Sequence, residues 1–316
     1  MRQPASKSMF VGRMKTLTPP THRIAGKRKG ILLAIMAAAI WGLTPVATKA
    51  ALEGFTPEFI GVVRLGVAAA LFRAAAGPGG QWFNGDPWIW LAGAGLGADF
   101  LLYNYGVQKT AANVAGLVIN FELISTIVLA VYLLGERLSR RRVLGGGITL
   151  MGVLIVTLDG LKLADLTEGG RTLGNVLVML AGVAWSVFAV AQRHASTDGN
   201  LFQRLTPIFS VAAVVSAPAL LRNGTWTIRG GVQPVVMFVI LTVFGTNAVY
   251  WIYGRAQELI EVTVLSILLC TIPVFAVLFA YALLREPLTL QLLIGGAVIV
   301  AGIAVIATEQ QKSLIP

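Results

Sequence analysis

Several kinds of chemistry are missing from this sequence. A single cysteine, Cys270, excludes an internal disulfide and a thiolate cluster. Two histidines, His22 and His194, exclude a histidine-rich metal site. No Gly-Lys-Ser/Thr loop is present, so nothing here cradles ATP. The paired carboxylates and His/Cys/Asp groupings of hydrolytic enzymes are missing too, and no cofactor or metal is expected. Charge itself is scarce. Charged residues are 12% of the 316 and hydrophobic ones 56%, against about 25% charged in soluble domains. So little charge cannot coat a globule in water. The natural solvent for this chain is a lipid bilayer.

The acids missing from the first 29 residues carry information of their own. That stretch holds eight Lys/Arg: Arg2, Lys7, Arg13, Lys15, Arg23, Lys27, Arg28 and Lys29. The net charge of +11 would suggest nucleic acid in a soluble protein. A basic tail ahead of a long apolar segment reads instead as a cytoplasmic anchor, and no nucleic-acid partner is expected. Gly30–Leu52 is longer than a signal-peptide core and lacks a convincing cleavage site. Initiation at Met9 or Met14 would shorten the tail.

Apolar spans fall at 30–52, 57–76, 87–107, 111–134, 143–159, 173–192, 205–221, 235–254, 262–284 and 288–308. Turn or charge signals separate them. Backbone groups in hydrocarbon must be satisfied within each segment, so the spans read as helices. The ten-residue alternation of a β-barrel is missing. The expected fold is therefore an all-α integral membrane protein with ten transmembrane helices. With the N-terminus inside, 17 of the 25 Lys/Arg are cytoplasmic and 6 outside, with Lys49 and Arg64 within helices. That bias puts both termini in the cytoplasm, with Arg137, Arg140, Arg141 and Arg142 inside.

The spans repeat. Trp41-Gly42 in the first recurs as Trp185-Ser186 in the sixth, each with a base eight residues on, Lys49 and Arg193. Gly97-Ala98-Asp99 with Tyr105-Gly106 recurs as Gly245-Thr246-Asn247 with Tyr253-Gly254. Leu134-Gly135-Glu136 recurs as Leu284-Arg285-Glu286. Five helices per copy is odd, so the second copy enters the membrane inverted. That is the architecture of secondary transporters, with the substrate between the halves. The expected units are a tail 1–29, a first repeat 30–160, a second 173–308 and a tail 309–316.

These residues resemble the EamA family of the drug/metabolite transporter superfamily. The resemblance rests on Trp41-Gly42 with Lys49, on Arg64, on Pro273-Val274-Phe275 and on the paired Glu136 and Glu286. It covers roughly 30–308 in both halves. Two departures stand out: Leu123, preceded by Glu122, replaces an expected proline, and Arg285 replaces the glycine before Glu286. The resemblance implies a ten-helix exporter or exchanger of small organic metabolites in the inner membrane.

Four ionisable groups lie at membrane depth: Lys49, Arg64, Asp99 and Glu122. Each costs roughly 2.5–3.5 kcal/mol to insert, so two bases and two acids are expected to neutralise each other or to face a cavity. A guanidinium suits a carboxylate, and a carboxylate suits an ammonium. An acid in low dielectric favours its protonated form, which makes Glu122 and Asp99 proton-coupling candidates. The blander readings are snorkelling for Lys49 and a structural pair for Arg64. Trp41, Tyr103, Asn120, Trp185, Asn247, Tyr250 and Trp251 complete the expected substrate site, against core packing or interhelical hydrogen bonds. Tyr105 and Tyr253 read equally well as interface belt, and Glu136 and Glu286 as caps for the helix that follows each. The first, third, fourth, sixth, eighth and ninth spans are expected to line the cavity. The glycine-rich fifth and tenth should lie outside it, where they could pair or form a homodimer. The function expected is export of a small polar or zwitterionic metabolite by alternating access. Import or exchange of a vitamin or nucleotide sugar is the alternative, and a membrane-embedded enzyme is the rival from another class.

Overall fold

The computed structural model describes residues 20–110, 115, 118–158, 171–195, 199–223, 231–284 and 289–312. The basic tail before residue 20, the start of the fourth span, residues 159–170 and residues 285–288 with Glu286 lie outside the described residues. Everything described is helix, turn or loop, with no strand.

The helices are α1 (Pro20–Leu52), α2 (Pro57–Ala76), α3 (Pro87–Lys109), α4 (Phe121–Leu134) and α5 (Arg140–Thr157). They continue with α6 (Arg171–His194), α7 (Leu201–Ser216) and α8 (Val232–Leu259). The helix α9 is broken into Val262–Leu269 and Ile272–Leu284, and α10 is Leu290–Lys312. Among the described residues, six segments are long and apolar enough to cross a membrane: α1 from Gly26, α2, α6 from Thr172, Leu201–Ala219, α8 and Val262–Phe279. The helix α3 is long enough but carries Asp99, Tyr103 and Asn104, and α5 begins on three arginines.

Local chemistry sets the helix starts. Thr56 accepts from the Phe59 N–H at 3.3 Å, ahead of Pro57. Asp86 accepts from the Trp88 N–H at 2.9 Å, ahead of Pro87. Asn200 and Gln203 cap α7 reciprocally. Such caps satisfy amides that have no partner inside the helix.

Glycine lets the helices meet backbone to backbone. The α3 helix is wedged between α6 and α7. A Cβ on Gly97 would lie 2.8 Å from the Ala212 carbonyl oxygen, and one on Gly95 would lie 2.9 Å from that of Ala184. The α5 and α10 helices meet the same way, Gly152 against Gly295 and Gly302 against Gly145. Not every glycine of these two helices takes part: a Cβ on Gly147 or Gly296 would meet nothing within 4 Å.

Contacts show which helix ends lie together. Thr110 at the end of α3 donates to Asn175 at the start of α6 at 2.5 Å. At the opposite end, Glu136 closing α4 accepts from the amides of Val262 and Thr263, at 2.9 and 3.1 Å. Glu136 therefore caps α9, 126 residues away, and not the helix that follows it. Negative charge at a helix start is favoured.

Candidate functional site

One cavity of about 350 Å³ lies among the helices. The α1 helix gives it Trp41, Thr44 and Thr48, and α3 gives Asp99, Phe100, Tyr103 and Asn104. Arg64 enters from α2, Trp185 from α6, and Gly245 and Tyr250 from α8. The two broken segments complete the wall. Ile119, Asn120 and Glu122 come from the turn that opens α4, and Leu269, Ile272 and Pro273 from the break in α9. These residues place the cavity toward the end where α1, α3 and α5 finish.

The breaks sit where other helices carry small residues. Gly42 of α1 would place a Cβ 3.3 Å from the Ile272 carbonyl oxygen, and Gly182 of α6 would place one 3.0 Å from that of Ile119. Ser186 holds the α4 break by hydrogen bonds to the Glu122 carbonyl at 3.1 Å and with Ser125 at 2.6 Å. Trp41-Gly42 and Trp185-Ser186 thus do similar work: the tryptophan faces the cavity and the small residue seats a broken helix.

An aromatic floor closes the cavity. Trp41 meets Trp185 edge to face with centroids 5.2 Å apart and Tyr250 at 5.6 Å, while Trp185 and Tyr250 are 5.9 Å apart. Edge-to-face rings are worth about 0.5–1.5 kcal/mol per pair beyond the area they bury. Beneath the floor lies buried polar structure. Tyr253 is fully buried, and Gln192 donates to the Gln257 side chain at 2.9 Å. Arg193 donates to the Gln257 carbonyl, Arg204 pairs with Glu258 at 3.0 Å, and Arg142 pairs with Glu261.

The charged groups differ in what holds them. Arg64 donates from Nε to the Thr246 hydroxyl at 2.9 Å and from Nη2 to the Gly245 carbonyl at 3.2 Å. Its guanidinium also lies 4.9 Å over the Phe100 ring. Gly245 and Thr246 belong to a π-helical turn, Val243–Ala248. Such a turn frees carbonyls that an α-helix would use, and these turns gather at functional sites. Asp99 and Glu122 face the cavity with no hydrogen bond or ion pair to either carboxyl from any described residue. Of the two arrangements expected from the sequence, the described residues thus take the second: the groups face one cavity, and no ion pair joins them.

Of the expected site residues, Trp41, Arg64, Asp99, Tyr103, Asn120, Glu122, Trp185 and Tyr250 share this cavity. Two do not. Asn247 lies in the π turn and donates to the Thr242 carbonyl at 2.8 Å, five residues back. Trp251 turns away and stacks on Phe202 of α7 at 6.3 Å. Lys49 is exposed and off the cavity. Tyr253 sits in the core and Tyr105 donates to Glu58, so neither is a free belt residue. Helix α5 reaches the cavity through Val156, while α10 stays outside it. Thr44 and Thr48 escaped notice, although their spacing from Trp41 puts them on one helical face.

A helical bundle around a cavity with charged groups set in a mostly apolar wall has the form of a transport protein. Comparison with known proteins agrees. The model of the EamA-like transporter family matches this chain twice, over residues 28–158 and 172–308. The chain belongs to that family. A probable amino-acid metabolite efflux pump of Escherichia coli K12 is 25% identical over 87% of this chain and 94% of its own length. A probable terminal-alkyne amino-acid exporter of Streptantibioticus cattleyicolor is 24% identical over 88% and 93%. An uncharacterized transporter of Archaeoglobus fulgidus is 25% identical over 90% and 100%. A solved structure described only as the crystal structure of a protein shares the fold, with a TM-score of 0.75 over 92% of this chain and 99% of that one at 21% identity.

Proposed function

We propose that this chain is a secondary transporter of the inner membrane that exports a small polar or zwitterionic, amino-acid-like metabolite by alternating access. The observation that carries the reading is the cavity. It puts one guanidinium and two carboxyls at membrane depth around an apolar space, and aromatic rings close one end. Charge that deep is costly unless it serves a ligand. The names of the two exporters among the relatives support an amino-acid-like substrate. A phosphate-bearing vitamin or nucleotide sugar would call for more cations than Arg64 supplies.

The reading includes ten crossings in two inverted halves. The double family match supports it. So do the turns at 119–120 and 270–271, which interrupt the fourth and ninth spans at nearly equivalent positions. Broken helices at the substrate are characteristic of inverted-repeat transporters. The 17-to-6 bias of Lys/Arg supports cytoplasmic termini. On that orientation the cavity opens outward and the Glu136 end is cytoplasmic. Glu122 and Asp99 are the groups we assign to proton coupling. The test is flux of amino acids in reconstituted vesicles with and without a pH gradient. Flux that ignores both the protein and the gradient would end this reading.

A further inference from the structure

Among its described lining residues the cavity holds more acid than base, and the one cation there is already partly committed. Arg64 gives its Nε–Nη2 edge to Thr246 and Gly245 of α8 and one face to Phe100. Asp99 and Glu122 have no hydrogen bond or ion pair among the described residues. The other polar groups around them, Tyr103 and Tyr250 in the wall with Tyr253 and Cys270 below, are neutral in the protonated state. Lys49, the one further base of the membrane-depth set, is exposed and off the cavity. A net-neutral zwitterion would satisfy Arg64 and one acid, leaving the second without a counter-charge. A ligand with one excess positive charge would complete the set.

We propose that the substrate binds as an organic monocation, an ammonium group on an apolar body, held between Asp99 and Glu122. This rests on the transporter reading but replaces its zwitterion by an amine that lacks the carboxylate. The apolar half of the ligand meets Leu269, Ile272 and Val277 on the α9 side. With the cavity empty, the acid that lacks a counter-charge carries a proton. The arriving ammonium replaces that proton, which leaves to the cavity water. Cation and proton thus compete for one carboxyl pair and exchange one for one, with no net charge moved into the site.

The test uses four solutes that share one branched 3-methylbutylamine core: leucine, leucinol, isopentylamine and N-acetylleucine. Binding to purified protein is measured by calorimetry near neutral pH in two buffers of different ionisation enthalpy. Leucinol and isopentylamine are expected to bind at least tenfold more tightly than leucine, with close to one proton released per molecule. N-acetylleucine should not bind measurably. Glu122→Gln should cancel the preference and the proton release, and Glu122→Asp should restore both, with thermal melting checking that each variant is folded. Leucine binding as tightly as leucinol would overturn the proposal, as would a preference that survives in both Glu122→Gln and Asp99→Asn. Vesicle flux of an amino-acid mixture separates the two failures. Flux without a preference for cations removes this proposal alone, and no flux of any solute removes the transporter reading with it.

Discussion

The indole of Trp41 stands on edge against that of Trp185, with interplanar angle 86° and centroids 5.2 Å apart. The two residues come from the two family-matched segments, so the cavity floor is also the seam between them. A double-mutant cycle with Trp41→Ala and Trp185→Ala, read by thermal unfolding, should show coupling of about 0.5–1.5 kcal/mol. Additive effects would mean the rings pack independently. Trp185→Phe should be milder than Trp185→Ala because Phe188 and Tyr253 still contact the ring position.

Much of this arrangement was legible in the sequence, for a physical reason. In a chain this apolar, a polar or aromatic residue at mid-span has to face something other than lipid. That picked out Asp99, Glu122, Arg64 and both tryptophans. Rotation about each helix was harder to read, because membrane helices are apolar on nearly every face and periodicity fades. Thr48 shares the face of Trp41, whereas Lys49 is turned about 80° from it and is exposed. Asn247 was misplaced because the π turn Val243–Ala248 takes its side chain for the backbone. Nothing in a linear pattern announces such a turn.

The glycines of α5 and α10 give a sharp contrast. Gly152→Leu or Gly302→Val should separate the helices, since even a methyl at either site would meet backbone atoms within 3 Å. Overpacking of this kind costs about 1–3 kcal/mol or more. Gly147→Ala and Gly296→Ala should be neutral or mildly stabilising, because nothing lies within 4 Å of either added Cβ. Monodisperse yield and melting temperature in detergent would rank the four variants. Equal damage from all four would show that these faces are packed in another way, for instance against a second copy of the chain.

Glu136 ties α4 to the start of α9 through two charge-assisted hydrogen bonds. Each such bond contributes about 1.5–3 kcal/mol. Glu136→Ala should therefore lower the melting temperature clearly, and Glu136→Gln, which keeps an acceptor, should do so less. If Glu136 acted only on α5, the helix that follows it, hydrogen exchange would rise at the start of α5 in Glu136→Ala. The expected rise is at Val262 and Thr263.

Glu122 and Asp99 should respond differently to removal of charge. Glu122→Gln keeps shape and an acceptor while deleting the exchangeable proton. Transport by that variant should lose the dependence on pH that the wild type shows across about pH 5.5–8. Asp99→Asn leaves Arg64 with one acid fewer in the cavity, so weaker binding or poorer folding is expected instead. An unchanged pH profile for Glu122→Gln, beside a clear wild-type profile, would take Glu122 out of the coupling.

The shut end of the bundle contains polar groups that a permanent seal would not need. Gln192, Gln257 and Thr263 are almost completely buried. The Gln192 Oε1 and Thr263 Oγ1 atoms have no hydrogen-bond partner among the described residues. An unsatisfied buried polar atom costs about 1–3 kcal/mol, and an apolar side chain would serve a seal better. The cost makes sense if these groups meet water when this end opens. Opening would part the start of α9 from α4 and α5, breaking the Arg142–Glu261 pair and the Glu136 cap. The chain has one native cysteine, so Cys270→Ala gives a clean background. Cysteines at Arg142 and Glu261, joined by a short bis-methanethiosulfonate, should then cut transport at least tenfold, and a reducing agent should restore it. Both single-cysteine proteins should keep transporting after the same treatment. A cross-linked protein that still transports would show that this end stays closed throughout the cycle, and alternating access through it would have to be abandoned.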